Sequence, residues 1–257
     1  MLQRYFLLCV SAFLAGVVNS IAGGGTLLTF PALMAVVSPV AANATSTFAL
    51  VPGSLAGAWG YRRDLGTASR WVWLLLAPSV VGGLIGTLLV TQLDESYFLR
   101  TVPYLILLAT LLFMGQPLLS KWVGIGTSHA APTPLTIVGI VVFQFFVAIY
   151  GGYFGAGIGI LMLSALSLMG FTDIHRMNAL KTLLAVCINT VSVLLFIWYG
   201  KVVWHYGLAM AVAAILGGYM GALGARRMNR SIVRWIVVAI GLSLSGYYFA
   251  KQAGLIT

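Results

Sequence analysis

The sequence predicts an all-α, polytopic transmembrane helical bundle of 8 to 10 membrane segments in two homologous halves, and three observations carry that expectation. Of its 257 residues, 61% are hydrophobic and only 7% charged, with a mean hydropathy of +1.03, against about 25% charged residues in an ordinary soluble domain. Apolar runs of about 20 residues recur, each long enough as a helix to cross a hydrocarbon core of ~30 Å. They lack the alternation of a barrel strand, and a bilayer accepts only helices or closed barrels. Finally, the polar and glycine landmarks of the second half of the chain fall on those of the first.

Taken in order, Tyr5 to Ala42 is apolar but too long for one helix and is interrupted at Gly23-Gly24-Gly25, so it reads as two shorter helices joined at the break. Phe6 to Ala22, ending on Ser20-Ile21-Ala22, has the outline of a cleavable signal peptide. Its counterpart in mid-chain, which a discarded peptide would not need, favours a membrane segment. Long spans follow near Asn43 to Gly60, Trp71 to Thr91 and Ser96 to Leu119. Ser120 to Pro134, with Lys121, His129, Pro132 and Pro134 among small residues, reads as a water-exposed linker. It divides the chain into an N-terminal transmembrane repeat (1–119), a central loop (120–134) and a C-terminal transmembrane repeat (135–257). Leu135 to Gly170 is again interrupted, between Gly151 and Gly159, and the last spans lie near Asn178 to Tyr199, Val202 to Ala225 and Ser231 to Ala250.

The halves match at a shift of 135 positions, which sets Asn43-Ala44 on Asn178-Ala179, Thr47 on Thr182, Ser96 on Ser231, and Gly82, Gly83 and Gly86 on Gly217, Gly218 and Gly221. Within one residue of slippage, Gly23-Gly24-Gly25 falls on Gly157-Ile158-Gly159 and Arg100 on Arg234. Apolar helices resemble one another in general, but polar landmarks in one register point to duplication of the transporter kind.

Loop charge then selects the topology. With four crossings per half, the 14 Lys and Arg divide 7 and 7 between the two sides, against the positive-inside bias. If each broken stretch crosses twice, one side collects Arg62, Arg63, Arg70, Lys121, Arg176, Lys181, Arg226, Arg227, Arg230 and Arg234, leaving Arg4, Arg100, Lys201 and Lys251 opposite. Five crossings per half make the repeats inverted, with both termini external. The alternative is that Thr26 to Ala42, which carries Pro31 and Pro39 and is short for a full span at about 1.5 Å per residue, is a re-entrant half-helix. The formal charge of +10 therefore reports orientation and not a nucleic-acid partner, because the basic residues sit in short clusters between apolar segments.

The segment Asn19-Ser20-Ile21-Ala22-Gly23-Gly24-Gly25-Thr26 is the most informative. Consecutive glycines weaken a helix by about 1 kcal/mol each relative to Ala, and broken backbone at membrane depth is tolerated only where it is buried in protein or lines a cavity. The N–H groups from Thr26 onward would be unpaired and partly positive, a setting for an anion. Gly155, Gly157 and Gly159 offer the same construction in the second half. Close helix packing is the other reading of these glycines.

Asn43 and Asn178 stand where they can cap helices, but Thr45, Ser46, Lys181 and Thr182 lie one turn further in and can point polar groups inward. Together with Asn178 they complete the candidate substrate-binding set of Asn19, Ser20, Gly23, Gly24, Gly25, Thr26, Gly155, Gly157 and Gly159. A charge within a span is a functional candidate by default, and Lys181 either faces inward or snorkels to the interface. Asp173 and His175, just before that helix, are candidates for proton coupling or a solvated loop. Gln144, Asn189, Tyr61 and Tyr150 are further pocket polars.

The chain holds four acids, Asp64, Asp94, Glu95 and Asp173, and its His and Cys residues lack metal-ligand spacing. Cys9 and Cys187 read as buried, reduced thiols. No nucleophile, base and acid constellation marks an enzyme, and no cofactor or metal is expected. The partners implied are a small anion and the lipid bilayer, with room for a homo-oligomer.

The stretch Gly16 to Leu33, with its Asn19 to Gly25 core and Pro31-Ala32-Leu33, resembles the N-terminal signature of the sulfite exporter TauE/SafE family, also called toluene sulfonate uptake permeases. The Gly151 to Gly159 region and Ala44-Thr45-Ser46 are similar to it as well. The resemblance covers essentially the whole chain. It implies a multi-pass permease of the bacterial inner membrane for small anions, often sulfur-containing ones such as sulfite, sulfonates or sulfoacetate, with glycine motifs at Gly23, Gly24 and Gly25 and at Gly155, Gly157 and Gly159. The second half departs from the pattern, since Ile158 interrupts the glycine run and Ala165 stands near the position matching Pro31. An anion channel, or less readily a membrane-embedded enzyme, is the alternative.

Overall fold

The computed structural model describes residues 2–21, 24–60, 69–122, 133–168, 174–224 and 230–255. Among them the chain forms ten α-helices and no strand: α1 (Leu2–Ile21), α2 (Thr26–Met34), α3 (Pro39–Gly60), α4 (Ser69–Gln92), α5 (Glu95–Trp122), α6 (Pro134–Tyr153), α7 (Ile158–Leu168), α8 (Ile174–Trp198), α9 (Trp204–Gly224) and α10 (Arg230–Gln252). Six of these, α1, α4, α5, α6, α8 and α10, hold stretches long and apolar enough to cross a membrane. Helices α2 and α7, of 9 and 11 residues, reach only about 14 and 17 Å at 1.5 Å per residue. Neither can cross a core of ~30 Å, so two full crossings from each broken stretch is corrected to one long and one short helix.

A second correction concerns α3 and α8. Pro39 opens α3, where its fixed φ suits the first helical position, and the Ser38 carbonyl accepts the Ala42 N–H at 2.8 Å. Asn43 therefore stands in the second turn, 1% exposed, and Asn178 is likewise the fifth residue of α8. Neither asparagine is an N-cap. The stretch read as a linker is helical at its start, since α5 continues to Trp122, and α6 begins at Pro134 with the Thr133 hydroxyl accepting the Thr136 N–H at 3.2 Å.

Two tight helix pairs organise the bundle. A Cβ on Gly82 would lie 2.6 Å from the Phe145 carbonyl and one on Gly86 2.8 Å from the Tyr153 nitrogen, so α4 and α6 touch backbone to backbone and run parallel. Helices α1 and α9 do the same: a Cβ on Gly16 would lie 2.7 Å from the Gly218 nitrogen, Gly217 packs on the Phe13 backbone, and the Tyr5 and Tyr206 rings are 5.1 Å apart. Small residues permit this approach. Helices α5 and α10 run antiparallel, with Tyr104 against Phe249 at 4.9 Å, Ser245 donating to the Pro103 carbonyl at 3.0 Å and Gln252 to the Leu99 carbonyl at 3.1 Å.

Hydrogen bonds define the two faces of the bundle. The Val40 N–H donates to Glu95 Oε1 at 2.8 Å, and the Val203 N–H to Thr45 Oγ1 at 3.0 Å. The starts of α3, α5 and α9 thus share one face, together with the start of α1 and the end of α10. This is the terminal face. Helix α6, parallel to α4, starts at the opposite face. The hairpin α1–α2 enters and returns through the terminal face, and α6–α7 through the opposite one.

Candidate functional site

The first break is built by glycine geometry and one side chain. Gly24 has φ +90°, a conformation that L side chains rarely adopt, and Asn19 Oδ1 accepts the Gly25 N–H at 2.7 Å. Gly25 passes so close to α1 that a Cβ would lie 2.7 Å from the Ala15 carbonyl, and α2 folds back along α1. In the second break, Gly155 and Gly157 have φ +80° and +81°. The N–H groups of Phe154 and Gly155 both donate to the Tyr150 carbonyl, at 2.9 and 3.2 Å, while the Tyr150 hydroxyl donates to the Ala156 carbonyl at 2.8 Å.

Both breaks meet α5 within about one turn of each other. Gly24 faces the Phe113 ring, and a Cβ on Gly157 would lie 3.6 Å from the Ala109 Cα and 3.5 Å from Leu112. Ala109 and Phe113 are one turn apart, about 6 Å along the axis, in the middle of a 28-residue helix. The core joins the two hairpins: Leu27, Phe30, Ala109, Phe113, Phe154 and Ala156 belong to one buried cluster.

The expected row of free donors at the start of α2 is mostly consumed. Leu27 donates to the Gly24 carbonyl at 3.0 Å, and Leu28 and Thr29 to the Gly25 carbonyl at 2.9 and 3.1 Å, because the first turn tightens and satisfies its own amides. With Gly25 bonded to Asn19, Thr26 is, among the described residues, the first-turn donor left to the break. In α7, Ile160 similarly donates to the Gly157 carbonyl at 3.0 Å.

Polar groups of α3 and α8 flank the breaks. Thr45 and Ser46 are fully buried. Ser46 Oγ lies 2.6 Å from Thr29 Oγ1 on α2, whereas Thr45 is engaged by Val203. Asn43 donates from Nδ2 to the Tyr153 carbonyl at 2.9 Å, and its buried Oδ1 has no partner among the described residues. Lys181 sits at the position matching Ser46. Its stem crosses Gly159, where a Cβ would lie 3.3 Å from the lysine Cδ, and its ammonium donates to Asn178 Oδ1 at 3.2 Å. Gly159 therefore belongs to α7 and makes room for a lysine stem. Among the described residues the ammonium has this neutral partner and no carboxylate. Thr182 is half-buried beside it.

Gly23, Asp173 and Tyr61 lie outside the described residues, and of Ser20 and His175 only the helical backbone is described. Gln144 donates to Ser79 at 2.8 Å and ties α6 to α4, away from the breaks. Asn189 stands near the second break, its Oδ1 3.7 Å from a Cβ built on Gly155. Thr29 and Asn43 join the site through contacts that the sequence does not display, Thr29 to Ser46 and Asn43 to the second break. A hydroxyl inside an apolar nine-residue helix, matched by Ser164 in the repeat, is the signal that marks Thr29. Among the described residues no group of three His, Cys, Asp or Glu side chains could hold a metal.

The description "Sulfite exporter TauE/SafE" belongs to the family whose model matches residues 8–248. The chain is 30% identical over 241 residues to a "Probable membrane transporter protein" of Haemophilus influenzae, covering 93% of this chain and 91% of that one. It is 32% identical over 236 residues to the "Probable membrane transporter protein YfcA" of Escherichia coli K12, covering 91% and 85%, and 29% identical over 244 residues to the "Probable membrane transporter protein ORF9" of a Sinorhizobium species, covering 93% and 89%. No solved structure matches.

Proposed function

The chain belongs to the sulfite exporter TauE/SafE family of membrane transporters, and on that premise we propose that it is a secondary carrier of small, sulfur-containing anions such as sulfite, sulfonates or sulfoacetate. It binds its substrate between the two glycine breaks and works in the bacterial inner membrane. The observation that carries this reading is the convergence of both breaks on the Ala109–Phe113 turn of α5, with Lys181 as the flanking cation. A substrate held there by backbone dipoles, hydroxyls and one ammonium carries negative charge.

The architecture we infer is a pair of inverted repeats, 1–119 and 135–257, joined by a loop at 120–134. The packing supports it, because α1 with α9 and α6 with α4 exchange under the shift of 135 positions, and each helix runs opposite to its counterpart. A hairpin that enters and leaves by one face alters the crossing count by two, so each half keeps an odd number. Arg4, Arg100, Lys201 and Lys251 fall at the terminal face, while Arg70, Lys121, Arg176, Arg230 and Arg234, five against four among the described residues, lie near helix ends at the other. The positive-inside bias makes the latter cytoplasmic.

A channel is the second reading, favoured by the same polar breaks. Counterflow separates the two: proteoliposomes loaded with unlabelled sulfite and diluted into a trace of labelled sulfite should accumulate label transiently above equilibrium if this is a carrier. Label that only equilibrates, with ionic current to match, would replace the carrier with a channel.

A further inference from the structure

We propose that Phe30, Phe98, Tyr153 and Phe154 form the gate that shuts the anion path toward the terminal face, and that the structure is the state open toward the opposite, arginine-rich face. The inference rests on the inverted-repeat carrier reading and adds to it a one-sided gate.

The four rings come from α2, α5, the end of α6 and the second break, and they interlock. Phe30 meets Phe154 edge-on at 5.1 Å and Phe98 at 6.2 Å, and Phe98 meets Tyr153 at 5.4 Å. Phe30 is 0% exposed, and Phe98 and Phe154 2% each. Polar ties hold the cluster to its surroundings, since Tyr153 places its hydroxyl 3.2 Å from Thr101 Oγ1 and its carbonyl on Asn43. The position is that of a plug. Phe98 is the fourth residue of α5, counted from the terminal face, and the breaks meet α5 further along, at Ala109 to Phe113. Nothing larger than a proton passes four close-packed rings without moving them.

The corresponding positions on the other side hold no ring. At the shift of 135, Phe98 becomes Val233, Tyr153 becomes Val18 and Phe154 becomes Asn19, while Phe30 becomes Ser164 or Ala165 within one residue. Asn19 is exposed where Phe154 is sealed. Where a counterpart of Phe30 would stand, a cleft of about 380 Å³ opens, lined by Thr136, Gly139, Ile140, Phe143, Ser164 and Ala165. Thr136 and Gly139 lie in the first turns of α6, which starts at the arginine-rich face. Two halves built to one plan therefore differ in the bulk available for closure. The terminal side closes by ring packing, and the other side can close only by moving a hairpin.

The test uses Lys181→Cys as reporter in a chain carrying Cys9→Ala and Cys187→Ser, in vesicles of both orientations, with a C-terminal tag cleaved by protease to locate the terminal face. A membrane-impermeant methanethiosulfonate should modify the reporter at least tenfold faster from the arginine-rich face. Adding Phe30→Ala with Phe154→Ala, or the milder Phe98→Leu should the pair fail to fold, should raise modification from the terminal face tenfold or more. Equal rates from both faces in the ring-intact protein, or no change on removing rings, would overturn the gate. Accessibility is read without substrate, so a protein that moved no anion would still show sidedness; loss of the carrier reading and loss of the gate are thus separate results.

Discussion

Asn43 Nδ2 donates to the Tyr153 carbonyl at 2.9 Å across 110 positions of sequence, joining the second turn of α3 to the last residue of α6. That carbonyl lies at a helix end, where the intrahelical partner is missing, on a partly buried residue whose ring packs against Phe98. One side chain of the first half therefore closes the backbone of the second half's break.

Asn43→Ala should destabilise the protein by about 1 kcal/mol or somewhat more, the cost of leaving a partly buried carbonyl unsatisfied. Asn43→Asp, which keeps the shape but loses the donor, should fall at least as far. The midpoint of thermal unfolding in detergent reads this, and an unshifted midpoint in both variants would mean that the carbonyl finds another partner.

Glycine substitutions should separate positions that need glycine from those that do not. Gly24→Ala meets both a φ of +90° and the Phe113 ring, and a left-handed L residue alone costs roughly 1–2 kcal/mol. A Cβ on Gly53 or Gly115, inside α3 and α5, meets nothing within 4 Å, so alanine there should be neutral or stabilising by up to about 1 kcal/mol. Equal effects at Gly24 and Gly53 would show that the first break is not as described.

Lys181 should carry substrate affinity through its charge. Lys181→Ala should reduce uptake efficiency by about tenfold or more, the equivalent of ~1.4 kcal/mol, with the loss in KM. Lys181→Arg should keep most of the affinity, and Gly159→Ala, whose Cβ would press on the lysine stem, should weaken it by a smaller factor. An alanine variant with wild-type KM would move the anion site elsewhere.

Outside the spans, Asp94 Oδ1 accepts the Ser96 N–H at 2.8 Å at the start of α5, and hydrogen bonds from Ser96 hold its carboxyl below its ordinary value of 3.8. A depressed carboxylate stabilises the fold above its unfolded pKa and stops doing so as pH falls through the folded one. Thermal midpoints of wild type and Asp94→Asn should therefore differ at pH above about 5 and converge on acidification below 3.8. A constant difference across that range would assign the effect to something other than ionisation.

Both glycine breaks were legible in the sequence, because closely spaced glycines inside an apolar run weaken a continuous helix whatever the tertiary setting. The shortness of the segment after the first break was legible from its length and from Pro31 and Pro39, but that of α7 was not, since hydropathy does not record where a chain turns back toward the face it entered. Pro39 as the first residue of α3 was hidden by the apolar stretch around it, and so Asn43 passed for a cap. The meeting of the breaks on α5 and the ring cluster of Phe30, Phe98, Tyr153 and Phe154 depend on elements far apart in sequence, so no local pattern announces them. Lys181 stood out because a charge in a span is rare, but its seat over Gly159 required the fold.

Uptake of labelled sulfite, sulfate and a simple sulfonate into liposomes containing the purified protein, with Lys181→Ala and Gly24→Leu beside the wild type, tests the central claim most directly. Saturable uptake of at least one of these anions, lost or strongly reduced in both variants while the proteins remain folded, is the predicted result. Uptake of none, or uptake undiminished in both variants, would contradict an anion site between the breaks and leave these residues to helix packing.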